Sequence, residues 1–311
     1  MTEARLPDFH IAGAPKCGTS ALFAYLAGHP GAAMSRRKEP SYWAPDIAKR
    51  GACLTLEAYL AQWEGAPADA IRGEASPNYL RSAVAIPRIR EASPEAKFVL
   101  MLRDPVEMAQ AWHSQLLKTF DEDVPGLEAA WRLQSERVQG RRIPPECVEP
   151  EYLQYLQVCS LGDQLERFVS LVPERQRLIL LYDDFAADTG AAYRRVLAFL
   201  GLPDDGRSDF ARVNRNRNRR AFSLARLHRS ALRRLGRLHP PLRAAASSLG
   251  LHPSTLINRW DIKEGPRAPL RPAFRAELQR VFEPQTGKIE AILGCALPAW
   301  RAVAGPAGGA R

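Results

Sequence analysis

Apolar residues along this chain alternate between short unbroken runs and longer stretches in which they recur every three or four positions. The runs Phe9–Ala12, Lys97–Arg103 and Arg177–Tyr182 read as buried strands, and Lys97-Phe-Val-Leu-Met-Leu-Arg103 is the strongest of them. Ile71–Pro77 reads as a strand that turns at Ser76-Pro77, and Ala32–Ser35 as a short one. Between them lie helical patterns: Leu22 to Gly28, Leu54–Trp63, Ser82–Glu91, Asp104-Pro105 to Lys118, 127–138, Tyr152–Leu171 with an interruption at Gly162, and Ala191–Leu200 closed by Gly201. Leu270–Leu293 is a last helical pattern. Strands and helices alternating at this spacing imply an α/β fold: a mainly parallel central sheet flanked by helices in three layers, with a helical C-terminal extension. Ligands of such sheets sit at the carboxyl ends of the strands, where the loop after Ala12, Glu39, Ser76 and Arg103 should gather.

Composition narrows this picture without changing it. The 311 residues, 46% hydrophobic and 25% charged, suffice for one large core, and residues 1–311 read as a single domain. Met1–Asp8 lacks the basic flank and apolar core of a secretory signal, and no run is long enough to span a membrane, so a cytoplasmic protein is expected. Cys17, Cys53, Cys147, Cys159 and Cys295 are scattered and never form a CxxC pair, which argues against a disulfide framework and a zinc site and for reduced thiols.

Charge is concentrated. Residues 207–243 hold twelve arginines and one acid, Asp209, a net +11 that leaves the rest of the chain near −1. Leu224, Leu227, Ala231, Leu235 and Leu238 recur between these arginines, so about 207–250 reads as a basic helical insertion broken at His239-Pro240-Pro241. One reading is a helix packed on the sheet with a solvated basic face. A second is docking on an acidic substrate or an anionic membrane surface, to which the protein would be peripheral. Nucleic acid is not expected, because aromatics for base stacking are nearly absent there. Ala304–Arg311 reads as a disordered tail.

Gly13-Ala-Pro-Lys-Cys-Gly18 lies between the first strand and the first helix, where unpaired backbone N–H groups and the helix dipole favour an anion. The glycines have the spacing of the nucleoside-triphosphate loop, but Thr19 occupies that loop's lysine position and Lys16 lies inside the turn. Lys16 would reach the leaving-group side of the anion, and no residue is set aside for a metal. A kinase of the phosphate-loop class would need magnesium and a lysine at 19. A basic anion-binding module driven by residues 207–243 is the non-enzymatic alternative.

Three motifs, Pro15-Lys-Cys-Gly-Thr-Ser20, Lys38-Glu-Pro-Ser-Tyr-Trp43 and Leu102-Arg-Asp-Pro-Val-Glu107, together resemble the PAPS-dependent sulfotransferases, the bacterial enzymes related to heparan sulfate sulfotransferases in particular. Lys263-Glu-Gly-Pro-Arg267, Phe282-Glu-Pro284 and Leu297-Pro-Ala-Trp300 resemble that family's ending. The resemblance implies transfer of the sulfuryl group of PAPS (3′-phosphoadenosine 5′-phosphosulfate) to a hydroxyl of a glycan, glycolipid or small metabolite. It implies that Lys16, Cys17, Gly18, Thr19 and Ser20 bind the 5′-phosphosulfate, with Lys16 neutralising the leaving oxygen. Arg103 would hold the 3′-phosphate, Lys263, Gly265 and Arg267 would close over it and the adenine, Trp112 would stack on adenine, and Glu39 would take the acceptor's proton. Two positions depart from the family pattern: Ala111 stands where a serine usually shares the 3′-phosphate, with Ser114 one turn on as its substitute, and Ala75 stands where many heparan-type enzymes carry lysine.

Overall fold

The computed structural model of the chain describes residues 5–47, 55–211, 213, 217–219, 262–264 and 267–301. Strands β1 (Phe9–Gly13), β2 (Ala32–Met34), β3 (Ile71–Ala75), β4 (Lys97–Leu102) and β5 (Arg177–Leu181) form one sheet in the order β2-β3-β1-β4-β5, every pairing parallel. From β1 the chain moves one way to β2, and after β3 it crosses to the other side of β1 to make β4. Right-handed crossovers run in opposite directions place helices on opposite faces, which makes three layers and leaves a crevice beyond the end of β1. β1 is buried along its whole length and β4 from Phe98 onward, as unbroken apolar runs require when helices cover both faces.

The helices are α1 (Thr19–Ala27), α2 (Leu56–Leu60), α3 (Ala85–Ala92), α4 (Pro105–Thr119), α5 (Leu127–Arg132), α6 (Gln134–Val138), α7 (Tyr155–Cys159), α8 (Leu161–Leu171), α9 (Tyr182–Ala187), α10 (Thr189–Leu200) and α11 (Pro272–Leu293). Asp104 starts α4 by accepting the Val106 N–H at 2.8 Å, and Pro105 follows where a missing N–H does no harm. The pattern at 127–138 divides into α5 and α6, and that at 152–171 into a 3₁₀ turn, α7 and α8. The latter break falls at Ser160 (φ −73°, ψ 63°) rather than at Gly162. Gly162 serves packing instead: a Cβ there would lie 2.5 Å from the Gln285 carbonyl oxygen on α11.

Of the basic insertion, residues 220–250 lie outside the described residues, as does the tail 304–311. At its start, β6 (Arg217–Arg219) pairs antiparallel with β7 (Ile262–Glu264), so the two ends of the intervening segment are brought together. Among the described residues no helix is long and apolar enough to cross a membrane.

Under α4 lies a fully buried ion pair, both Arg137 end nitrogens donating to Glu122 at 2.7 Å, with the Tyr155 hydroxyl donating to the same carboxylate at 2.6 Å. It ties α6 and α7 to the end of α4 with its lone pairs satisfied, the condition under which a buried pair is tolerated.

Closest packing occurs where β3 meets β1. A Cβ on Gly73 would lie 2.1 Å from the buried Phe9 ring, whereas one on Gly126 would meet nothing within 4 Å. Gly73→Ala should therefore destabilise the fold by about 1–3 kcal/mol in urea unfolding while Gly126→Ala leaves the midpoint nearly unchanged. Equal midpoints would contradict this packing.

Candidate active site

The turn between β1 and α1 is fixed from beneath. The Ala14 N–H donates to the Met101 carbonyl on β4 at 2.8 Å, and Gly18 takes φ +94° at the α1 N-cap, where a Cβ would lie 3.0 Å from Met101 Cε. No side chain caps α1, so its first N–H groups have no side-chain partner. Thr19 is buried and Ser20 half-buried at its start. Cys17 is inert: it is fully buried, Sγ donates to the Pro15 carbonyl at 3.3 Å, and burial raises its pKa to about 12.

Lys16 sits in the left-handed region at φ +64°, a conformation that a side-chain-bearing residue holds only when its surroundings dictate it. Its ammonium donates to Gln115 Oε1 on α4 at 3.3 Å, its one hydrogen bond among the described residues. Burial lowers its pKa to about 8, and the nearby charges of Arg267, Lys118 and Lys38 push the same way against a weaker pull from Glu39.

Arg103 leaves β4 beside this turn. Its Nη1 reaches the Lys16 carbonyl at 3.5 Å, its Nη2 lies 3.6 Å from Glu107, and its guanidinium stacks 4.4 Å from the Tyr182 ring centre. Arg267 lies close enough that burial first and then the charge of Arg103 lower its pKa. The Nε atoms of both arginines are buried and meet no partner among the described residues. The segment carrying Arg267 is fastened across α4 by Gln110 Nε2 donating to the Ala268 carbonyl at 2.6 Å and by the Arg275–Glu107 ion pair.

Glu39 is exposed, pairs with the neighbouring Lys38, and has φ +63°. Its N–H donates to the Ala75 carbonyl at the end of β3 at 3.0 Å, which holds its loop at the same edge of the sheet as Lys16. Ser76 joins that loop, as the topology predicts: its Oγ accepts the Ser41 N–H at 3.1 Å.

The remaining sequence-derived residues divide. Trp112 is only 6% exposed, donates its indole N–H to the Tyr152 carbonyl at 2.9 Å and packs edge-on against the Tyr152 ring. Ala111 is buried, and Ser114 Oγ is occupied in donating to the Gln110 carbonyl of its own helix at 2.9 Å. Lys263 lies in β7, whose side chains are not described, and Gly265 lies outside the described residues. Gln115, Tyr182 and Glu74 are brought to the site without having been singled out in the sequence, and Glu107, which closes the Leu102–Glu107 motif, was given no role there. Only the helical period would have pointed to Gln115, one turn beyond Ala111. No group of three or more His, Cys, Asp or Glu among the described residues is placed to hold a metal ion.

As chemistry, the arrangement sets positive groups in two places, Lys16 at the α1 N-terminus and Arg103 with Arg267, where anionic groups could be held, and the Glu39 carboxylate is exposed beside them. Membrane-associated sulfotransferase kil1 of Dictyostelium discoideum is 34% identical over 106 residues, covering 33% of this chain and 21% of that protein. Human bifunctional heparan sulfate N-deacetylase/N-sulfotransferase 3 is 24% identical, covering 64% of this chain and 22% of that one. The chain thus spans about a fifth of the length of these relatives. A crystal structure of a sulfotransferase from Alicyclobacillus acidocaldarius shares the fold at a TM-score of 0.70 and 24% identity, over 96% of this chain and all of that one. The model of the sulfotransferase family matches residues 49–206, half of the chain, and the chain belongs to that family.

Proposed function

We propose that residues 1–311 form one sulfotransferase domain that moves the sulfuryl group of PAPS to a hydroxyl of a glycan, glycolipid or small metabolite. The observation that carries this reading is the pair of buried Nε atoms of Arg103 and Arg267, unpartnered among the described residues, beside a lysine whose charge is disfavoured by burial and then by nearby cations. Buried guanidinium nitrogens without partners are costly, and a donor carrying two anionic groups supplies acceptors for them. PAPS, as the donor, supplies the activated sulfuryl group. In this reading Arg103 and Arg267 hold its 3′-phosphate, and the turn N–H groups with Thr19 and Ser20 hold its 5′ end. Trp112, 6% exposed and packed edge-on against Tyr152, supports that ring in this reading.

Chemistry then needs little covalent help from the protein. The acceptor oxygen forms a new S–O bond as the bond from sulfur to the phosphate oxygen breaks, in line. Lys16 donates to the leaving oxygen as charge develops there, and Glu39 accepts the proton of the attacking hydroxyl. The +11 charge of residues 207–243 would draw an acidic acceptor or hold the protein at an anionic membrane surface.

Transfer of label from 35S-PAPS to a panel of glycans, glycolipids and hydroxylated metabolites tests the reading, and no transfer by folded protein to any of them would contradict it. Lys16→Met should lower the transfer rate by about 100-fold or more with the unfolding midpoint kept, and a wild-type rate would remove Lys16 from the mechanism. Glu39→Gln should slow transfer by about 100-fold or more while nucleotide affinity stays near wild type. Equal losses of rate and affinity would make Glu39 a structural carboxylate. Because the free Lys16 loses its proton near pH 8, kcat/KM for the donor should fall as pH rises through about 8, by about tenfold per pH unit beyond it. A profile flat to pH 10 would contradict a catalytic ammonium at this position.

A further inference from the structure

Glu74 lies at the end of β3 and is wholly buried, yet its carboxylate is the most heavily bonded group near the site. Tyr59 donates to Oε1 at 2.6 Å, Tyr79 to Oε1 at 3.0 Å, and Ser76 to Oε2 at 2.8 Å, while His10 Nδ1 lies 3.0 Å from Oε1. Three of these four partners continue to one place, the loop that carries Glu39. Ser76 Oγ accepts the Ser41 N–H at 3.1 Å, Tyr59 accepts the Trp43 indole N–H at 2.9 Å, and the Tyr79 hydroxyl accepts the Trp43 backbone N–H at 3.4 Å. The loop needs such holding, because Glu39 and Ser41 both have positive φ, +63° and +54°, without being glycine. Its remaining tie to β3 is the Glu39 N–H on the Ala75 carbonyl, one residue past Glu74.

We propose that Glu74 is a positioning residue: acting through Ser76, Tyr59 and Tyr79, it fixes the 39–43 loop so that the Glu39 carboxylate faces the acceptor hydroxyl. A carboxylate suits this task better than a neutral group. With two oxygens and about four lone-pair sites it accepts every one of these donors at once, so each hydroxyl is turned to donate inward and leaves its own lone pairs for the loop N–H groups. An amide at this position would keep one accepting oxygen for Tyr59 and Tyr79 but turn N–H donors toward Ser76, whose hydroxyl is aimed inward as a donor itself. The chain through Ser76 to Ser41 would then be broken. The proposal rests on the reading of Glu39 as the proton acceptor.

The test uses the full chain with Ser76→Ala, which cuts one chain and leaves the carboxylate its other partners, and Glu74→Gln as the more drastic change. Three quantities are read: amide hydrogen exchange at Ser41 and Trp43, the dissociation constant of 3′-phosphoadenosine 5′-phosphate, and kcat for transfer from PAPS. Ser76→Ala should speed Ser41 exchange at least tenfold and lower kcat about tenfold, with nucleotide affinity within twofold of wild type. Glu74→Gln, where it folds, should likewise speed exchange at Ser41 and lower kcat. Unchanged exchange in Ser76→Ala would show that the clamp is absent. Faster exchange with a wild-type kcat would show that the clamp does not serve catalysis, and parallel losses of kcat and nucleotide affinity would show a merely structural residue. Should the wild-type chain fail to use PAPS, the functional reading falls and this proposal's catalytic half with it, whereas unchanged exchange alone sinks only the clamp.

Discussion

Like charges crowded at the end of a parallel sheet are the constraint on which this site depends. Lys16, Arg103 and Arg267 are drawn together from three separate parts of the chain, and burial, with the charges of Arg267, Lys118 and Lys38 behind it, lowers the lysine's pKa to about 8. A fold does not assemble mutually repelling, partly buried cations for stability. What holds them is the packing beneath: β1 and β4 buried along the sheet, Gly18 under contact with Met101 and Tyr182, and the 267–275 segment strapped across α4. The sheet's stability carries the electrostatic load, and an anionic ligand would relieve it.

Much of the architecture was legible because it depends on local pattern. Apolar runs such as 97–102 are strands wherever both faces are covered, and the Asp104-Pro105 start of α4 follows from capping and proline geometry. The displaced lysine was legible too, since a three-residue offset within a glycine turn is a property of sequence alone. Gly162 was misread as a helix break because a glycine inside an apolar pattern signals a break and a close helix contact equally, and only the approach of Gln285 distinguishes them. Trp112 is assigned to the nucleotide by resemblance alone, and the bond of its indole N–H to the Tyr152 carbonyl is one that no motif announces. Ser114 is on the expected helix, but its hydroxyl is spent on the turn behind it.

What sequence could not disclose is the second layer of the site. Gln115 meets Lys16 across 99 positions and Arg275 meets Glu107 across 168, separations at which no spacing rule operates. Glu74 looks in sequence like an ordinary strand residue, and its importance appears only when Tyr59, Tyr79, Ser76 and His10 are seen to converge on it. Lys16 and Glu39 also precede residues 49–206, the part matched by the family, so their roles rest on geometry and on the motifs around them.

The central claim is that two anion stations act on one nucleotide. Titration calorimetry of the wild-type chain with 3′-phosphoadenosine 5′-phosphate, and in parallel with adenosine 5′-phosphate, addresses it directly. The account predicts that the 3′-phosphorylated nucleotide binds at least about 100-fold more tightly, since its second phosphate forms charge-assisted bonds to Arg103 and Arg267. Equal affinity for the two nucleotides would contradict it.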